Sequence, residues 1–273
     1  MNQALSSVIA RDGFNRPAGT AVHPIEFGVV ITMILPIALA CAMAMKDRGW
    51  IRRWYPAAAI AVAIPLSISR TALVGTLVCL IVLLPTWPKA ARRRTLLAVG
   101  GLMIVLFVTL PGFLGTITGL FTGIASDTSA QSRTGSYGIA AEFIQRAPLF
   151  GRGFSTFLPS YWILDNQYLG LLIETGIVGL ASMAFLLAGG AIAALRSRRH
   201  TEDPVVREVG QALIASVACG AVSMALFDLL GFPMSAGVLF LMLGLCGALW
   251  RLVRQQAPTG SQPQLSGGGK VSS

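Results

Sequence analysis

Long apolar runs are the feature that most constrains this chain. A transmembrane α-helix needs about 20 mostly apolar residues, and runs of about that length recur between residues 25 and 250. Charged residues make up 12% of the 273 residues, and the mean hydropathy is +0.71. A soluble domain carries about 25% charged residues. Because the alternating segments of a transmembrane β-barrel are absent, the sequence predicts an all-α, polytopic transmembrane helical bundle.

Seven spans are predicted, and they divide the chain into five parts. The spans are expected at about 25–45, 54–69, 71–87, 95–112, 168–195, 209–228 and 234–250. The five parts are an extracytoplasmic N-terminal segment, four spans, an extracytoplasmic loop, three spans and a disordered cytoplasmic tail, at 1–24, 25–112, 113–167, 168–250 and 251–273. The tail is rich in Gly, Ser, Gln and Pro, a composition typical of disorder.

The distribution of basic residues sets the expected orientation. Loops rich in Lys and Arg stay cytoplasmic, and fifteen of the 21 basic residues flank the spans on one side. The opposite, extracytoplasmic side keeps Arg11, Arg16, Arg70, Arg133, Arg146 and Arg152. Because most of the net charge of +10 lies beside apolar runs, it is a topology signal, and we expect no nucleic-acid partner.

The N-terminal segment is expected outside, although it is polar and lacks the apolar core of a signal peptide. We therefore expect the chain to be the C-terminal part of a larger membrane protein with further spans upstream. The four cysteines all fall inside apolar runs and have no metal-binding spacing. They are predicted to be small buried residues, and neither a metal nor a cofactor is expected.

A short amphipathic helix is predicted in the long extracytoplasmic loop. Within 132–146, apolar side chains recur at helical spacing, and Glu142 and Arg146 form an i,i+4 pair. Pro148 and a Gly-Arg-Gly turn follow and break the helix. We expect this helix to lie on the membrane surface.

Polar residues from distant segments are expected to meet at the extracytoplasmic face. Arginine binds phosphate through paired hydrogen bonds and keeps its charge in any environment. A carboxylate among arginines is suited to act as a general base on a hydroxyl. The pattern therefore indicates a site for a lipid-linked pyrophosphate, with these candidate residues: Arg16, His23, Arg70, Arg133, Arg146, Arg152, Asp165, Asn166 and Glu174.

Most of these candidates also fit purely structural roles. Arg70 lies between the apolar runs 55–69 and 71–85, where a charge costs about 2.5–3.5 kcal/mol on insertion scales. It would avoid that penalty by reaching the interface. Glu174 sits one turn into a span and could line a cavity. Arg133, Arg146 and Arg152 could be solvated charges of the loop. His23 could be an interfacial residue, Asp165 could start the next helix, and Asp228 could be a hydrated turn residue.

At these positions the chain resembles the O-antigen ligase and polymerase family of bacterial membrane proteins. Four segments between about 16 and 180 carry the likeness. They are RPAGT at 16–20 with HPIEFG at 23–28, LSISRTA at 66–72, the helix and turn at 132–153, and DNQYL with ETGIVG at 165–179. The likeness covers about two-thirds of the chain, and it also accounts for the external N-terminus, because family members have additional spans upstream.

The resemblance implies transfer of a glycan from undecaprenyl pyrophosphate to an acceptor hydroxyl at the outer face of the cytoplasmic membrane. No metal, cofactor or nucleotide sugar would be needed. The implied partners are the lipid-linked glycan, a glycan or other hydroxyl acceptor, and the lipid bilayer. Arg70 and Arg133 match the family's functional arginines, which bind the donor pyrophosphate. Substrate-binding roles are expected for Arg16, His23, Asn166, Arg146 and Glu174.

Asp165 departs from the family pattern, because ligases usually have a histidine there. A carboxylate can still accept a proton, so Asp165 is our candidate catalytic base. The departure leaves a polymerase, or a ligase for another surface polysaccharide, at least as well supported as a lipopolysaccharide ligase. A transporter or flippase for a lipid-linked or anionic solute is the alternative, since short paired spans with intramembrane charge also occur there.

Overall fold

The structure is a computed structural model that describes residues 10–11, 14–109, 128–157 and 162–256. The side chains of 10–15 and 128–135 fall outside that description. The described helices are α1 (Pro24–Ala44), α2 (Trp50–Leu66), α3 (Arg70–Leu83), α4 (Lys89–Thr109), α5 (Thr128–Arg146), α6 (Gln167–Arg199), α7 (Pro204–Met224) and α8 (Pro233–Gln256). Two-residue strands at Ala10–Arg11 and Phe14–Asn15 pair antiparallel, and short 3-10 turns occupy Leu84–Thr86 and Leu229–Gly231.

The helical membrane architecture predicted from the sequence is confirmed. Four described helices, α1, α6, α7 and α8, are long and apolar enough to cross a membrane. Helix α3 is apolar but shorter, and it continues into the 3-10 turn that follows it. Each of the seven predicted spans coincides with a helix, whereas the count of seven membrane crossings stays a prediction. The chain is a multi-pass membrane protein.

Helix α7 is the centre of the bundle and packs against α1, α3, α6 and α8. Small residues allow these close approaches, as is usual between membrane helices. A Cβ added to Gly75 on α3 would lie 2.8 Å from the sulfur of Cys219 on α7. Three of the four cysteines are buried, as predicted, and all four are free thiols.

Polar side chains begin several helices at one end of the bundle. His23, Ser69 and Asn166 cap α1, α3 and α6 by accepting backbone N–H groups in the first turn, which offsets the donors left unpaired at a helix start. Contacts between the starts of α1, α3, α6 and α8 bring these caps together. We call this end of the bundle the capped end.

Helix α6 is broken at Gly176, where φ is +66° and ψ is −165°. The loop 148–153 fits into the break. The N–H groups of Ile177 and Val178 donate to loop carbonyls at 2.9 and 3.2 Å, and the carbonyls of Ile173 and Glu174 accept from loop N–H groups at 3.0 and 2.9 Å. The loop thus satisfies backbone groups that a break would otherwise leave unpaired in an apolar surrounding. The apolar pattern that predicted the span 168–195 did not indicate this interruption.

Some predicted boundaries were wrong. Helix α8 continues to Gln256, so residues 251–256 are helical rather than part of a disordered tail. Arg254 lies in the last turn, where a cation is favourable beside the helix C-terminus. A helix occupies Thr128–Arg146, where the sequence predicted an amphipathic helix within 132–146; its amphipathic character and its placement on the membrane surface stay predictions. The proposed tail from 257 onward and the loop at 110–127 lie outside the described residues.

Candidate active site

Arg16 is built into the capped end of the bundle. Its side chain is 7% exposed, and its Nε donates to the backbone carbonyl of Ser67 at 3.2 Å. Ser67 belongs to the turn between α2 and α3, and the first residue of α3 is Arg70. A buried guanidinium and a second, partly exposed one therefore flank the same turn.

The turn itself is strained and tightly held. Ile68 has φ +45°, in the left-handed region that a β-branched residue rarely adopts, yet only 2% of its surface is exposed. On α1, a Cβ added to Gly28 would lie 2.9 Å from both the Ser67 hydroxyl and the Cβ of Ala72. Packing against Gly28 and the bond from Arg16 thus hold the backbone in a conformation that an isolated turn would leave. Backbone strain of this kind is common at functional sites, where it helps to orient a side chain.

His23 lies at the start of α1, between groups of opposite charge. Its Nδ1 accepts the N–H of Ile25 at 3.1 Å. Burial lowers the pKa of His23, and the positive charge of Arg16 lowers it further, while Asp165 and Glu26 act in the opposite direction. Arg16 and Asp165 are therefore both close enough to His23 to influence its charge, although the three residues come from separate segments.

Asp165 and Asn166 form the entry to α6, and Asp228 supports them from the α7–α8 connection. Asp165 has φ +50°. Asn166 caps the helix, with Oδ1 accepting from Tyr168 and Leu169 at 3.0 and 3.4 Å. The backbone N–H of Asn166 donates to Asp228 Oδ1 at 3.2 Å. This bond fixes the backbone that carries Asp165, our candidate base.

Asp228 is the site residue that sequence reasoning interpreted as a hydrated turn. The structure places it half-buried beside the Asp165–Asn166 segment. Burial raises the pKa of Asp228 and so does the charge of Asp165, whereas the N–H groups of Asn166 and Asp165 oppose the rise. Only the tertiary fold shows this proximity, because 62 residues separate Asn166 from Asp228.

Glu26 is a second residue that the sequence analysis missed. It is fully buried and receives three backbone N–H groups, from Val22 at 2.9 Å, Met234 at 2.7 Å and Ser235 at 3.4 Å. The last two are in the first turn of α8, so Glu26 caps that helix from α1 and joins their ends. The sequence signal that could have identified Glu26 is an acidic residue near the start of an apolar run.

Three further candidates are Glu174, on α6, Arg146, at the end of α5, and Arg152, in the loop that follows α5. Glu174 precedes the break in α6, and its Oε1 accepts the N–H of Phe157 at 3.3 Å. The guanidinium groups of Arg146 and Arg152 lie 5.8 and 4.9 Å from the ring centre of Phe143. Both arginines are exposed, and their contacts with Phe143 do not join them to Asp165, so the prediction of substrate binding by Arg146 gains no geometric support.

Arg133 lies on α5, but its side chain is outside the described part of the structure. Its predicted role therefore stays a prediction. Among the described residues, no group of three or more His, Cys, Asp or Glu side chains is placed to hold a metal ion. In the described part of the site, the charged side chains are those of arginines and carboxylates.

Comparison with known proteins gives one informative result. A family model described as O-antigen ligase matches residues 55–184, a range that includes Arg70, Arg133, Asp165, Asn166 and Glu174 but leaves out Arg16, His23 and Asp228. No curated protein matches the chain. The match supports an enzyme of membrane glycan biosynthesis. It confirms the resemblance seen in the sequence, since the segment 55–184 matches the O-antigen ligase family.

Proposed function

We propose that this protein is a membrane glycosyltransferase that transfers or polymerises a glycan from undecaprenyl pyrophosphate onto an acceptor hydroxyl. The reaction takes place at the extracytoplasmic face of the bacterial cytoplasmic membrane and contributes to cell-surface polysaccharide synthesis. The observation that carries the proposal is the meeting of Arg16, His23, Asp165 and the Arg70 turn at one end of the bundle.

In the proposed reaction, the acceptor oxygen attacks the anomeric carbon of the donor sugar and the bond from that carbon to the pyrophosphate breaks. Asp165 accepts the proton of the acceptor hydroxyl, and undecaprenyl pyrophosphate leaves with the bonding electrons. Attack from the face opposite the leaving group inverts the anomeric centre. Arg70 and Arg133 hold the pyrophosphate, so that positive charge is already in place where negative charge develops.

The location of Arg70 suits this role. It occupies the first helical position of α3, and the N-terminal end of a helix carries partial positive charge that favours an anion. Buried Arg16 adds a further cation beside the same turn. His23, with its lowered pKa, is suited to position a sugar or phosphate through hydrogen bonds rather than through a permanent charge.

A flippase or transporter is the second candidate, because α6 is broken at Gly176 and broken helices are typical of transporter binding sites. In those proteins the freed backbone groups bind solute. Here, loop 148–153 occupies the groups beside the break. Because the loop already pairs these backbone groups, the break favours a structural role over solute binding, which supports the transferase.

Reconstitution into lipid vesicles with an undecaprenyl-pyrophosphate oligosaccharide tests the proposal. Chain elongation would indicate a polymerase, and transfer to a separate acceptor would indicate a ligase. Movement of the lipid-linked sugar between leaflets, with the glycosidic linkage to pyrophosphate intact, would overturn the transferase in favour of a flippase. The Asp165→Asn variant should abolish product formation while still inserting into vesicles.

A further inference from the structure

A cleft of about 390 Å³ opens beside the Asp165–Asn166 segment. Its lining includes three aromatic rings, one amide and two carboxylates, which belong to Phe154, Phe157, Trp162, Gln167, Glu174 and Asp228. We call it the aromatic cleft. Since Asp228 accepts the N–H of Asn166, the cleft reaches the backbone that carries the candidate base.

The aromatic cleft has the chemistry of a sugar-binding site. A sugar ring presents C–H groups on its faces and hydroxyls around its edge. The negative face of an aromatic ring attracts polarised C–H groups, and Phe154 and Trp162 are respectively 77% and 39% exposed. Carboxylate and amide oxygens accept hydroxyl protons. Apolar walls with a few polar groups are also typical of ligand pockets generally.

Both carboxylates keep capacity for a ligand. Glu174 accepts one backbone N–H, from Phe157, and Asp228 is held by the N–H groups of Asn166 and Asp165. A carboxylate offers about four lone-pair positions, so hydroxyl donors can be added. The Trp162 indole N–H instead donates to Ser136 Oγ at 2.9 Å, which fixes the orientation of its ring in the wall.

The cleft's charge differs from that of the proposed donor site. Among the described residues that line it, the charged side chains are Glu174 and Asp228, both acidic. Arg16 and the Arg70 turn are the cationic part of the capped end. Like charges repel strongly in a partly desolvated cleft, whereas a neutral sugar can donate hydroxyl protons to both acids. An anion is therefore favoured on the arginine side and disfavoured here.

We propose that the aromatic cleft binds the acceptor sugar and that Glu174 and Asp228 restrict it to uncharged sugars, excluding uronic acids. The assignment of this sugar as the acceptor rests on the proposed transferase function. The acceptor hydroxyl would then lie next to Asp165, with the donor pyrophosphate held on the arginine side. Glu174 and Asp228 are specificity-determining residues in this arrangement.

Binding can be measured without the donor, by calorimetry on the full 273-residue chain in lipid nanodiscs. The probes are neutral trisaccharides with glucose, galactose, mannose or rhamnose ends, and uronate-ended counterparts of the same hexoses. At least one neutral probe should bind at least tenfold more tightly than every uronate, and Trp162→Ala should weaken it at least tenfold. Equal binding of neutral and acidic probes, or no binding of any neutral probe, would overturn the proposal.

The acidic residues can be tested separately. Glu174→Gln and Asp228→Asn retain a carbonyl oxygen for their backbone donors, and together they should improve uronate binding at least tenfold. Glu142→Gln removes an exposed acid of α5 and should leave selectivity unchanged. If the double variant still excludes uronates, the charge argument is wrong.

The two proposals fail in different ways. Selective neutral binding without transfer in the vesicle assay would contradict the transferase and support a sugar site. Transfer together with unselective binding would contradict the cleft and support the transferase.

Discussion

Asp228 Oδ1 accepts the backbone N–H of Asn166 at 3.2 Å, which joins the α7–α8 connection to the entry of α6. Because this bond fixes the segment that carries Asp165, Asp228→Ala should lower the transfer rate. A hydrogen bond to a charged group contributes about 1.5–3 kcal/mol, which corresponds to a loss of about 10- to 150-fold if the whole effect appears in kcat.

Asp228→Asn is the matched variant, since its amide oxygen can still accept that N–H. Its transfer rate should lie between those of the wild type and the alanine variant. The measurement is initial rate in vesicles at equal protein incorporation. Unchanged turnover in Asp228→Ala would contradict the positioning role.

Glu26 should be important for stability. Glu26→Ala leaves three backbone donors without their acceptor, and one such bond to a charged group contributes about 1.5–3 kcal/mol. We expect a clear fall in the thermal unfolding midpoint in detergent. Glu202→Ala, which removes an exposed acid before α7, should behave as the wild type. Equal midpoints for the two variants would show that Glu26 does not hold the ends of α1 and α8 together.

Gly176 should not tolerate a side chain. Its positive φ disfavours any L-residue, and an added Cβ would overlap the backbone of Leu149. The pair φ +66° and ψ −165° lies in a region essentially restricted to glycine, where strain costs about 1–3 kcal/mol. Since the overlap adds to that strain, Gly176→Ala should cost at least about 2 kcal/mol and should expose loop 148–153 to proteolysis. Gly189→Ala lies on the same helix in open space and should be neutral or slightly stabilising. A protease-resistant Gly176→Ala would argue against the inserted loop.

His23 should make stability depend on pH. Its folded-state pKa lies below the ordinary value of 6.5 because of burial and the charge of Arg16, with Asp165 and Glu26 opposing. Between the folded and unfolded pKa values the unfolded chain binds more protons, so stability rises with pH there. The contribution is complete above about 6.5 and is lost as pH falls through the folded pKa.

Thermal unfolding measured across that pH range would test this sign. His23→Asn supplies a cap that does not titrate, so it should flatten the dependence, while His200→Asn should retain it. An identical pH dependence in the wild type and His23→Asn would contradict the assignment to His23.

The apolar runs predicted the helices well because a bilayer imposes a length and a composition that can be read locally. The sequence suggested a helix start as one role for Asp165, and the residue that caps α6 is its neighbour Asn166. The break at Gly176 could not be predicted in the same way, because it depends on a loop that returns to fill it. Apolar periodicity reports which residues avoid water, and it carries no information on where a separate loop will insert.

Asp228 and Glu26 show the same limit in the site. Their partners lie 62 and 208 residues away, so their roles emerge only when α1, α6 and α8 are packed. Arg16 and Asp165 were predicted from charge and resemblance, and the structure brings both into electrostatic range of His23. Arg146 was predicted on the same grounds, but its described contact is with Phe143.

In the proposed reaction, Arg70 holds the pyrophosphate of a lipid-linked glycan during transfer. The direct measurement is product formation from undecaprenyl-pyrophosphate oligosaccharide in vesicles containing Arg70→Ala, beside Arg207→Ala from the opposite end of the bundle. Removing a charged donor to the leaving group should lower the rate about 100- to 1,000-fold, with Arg207→Ala close to the wild type. Full product yield and unchanged chain length with Arg70→Ala would contradict a role for Arg70 in holding the pyrophosphate.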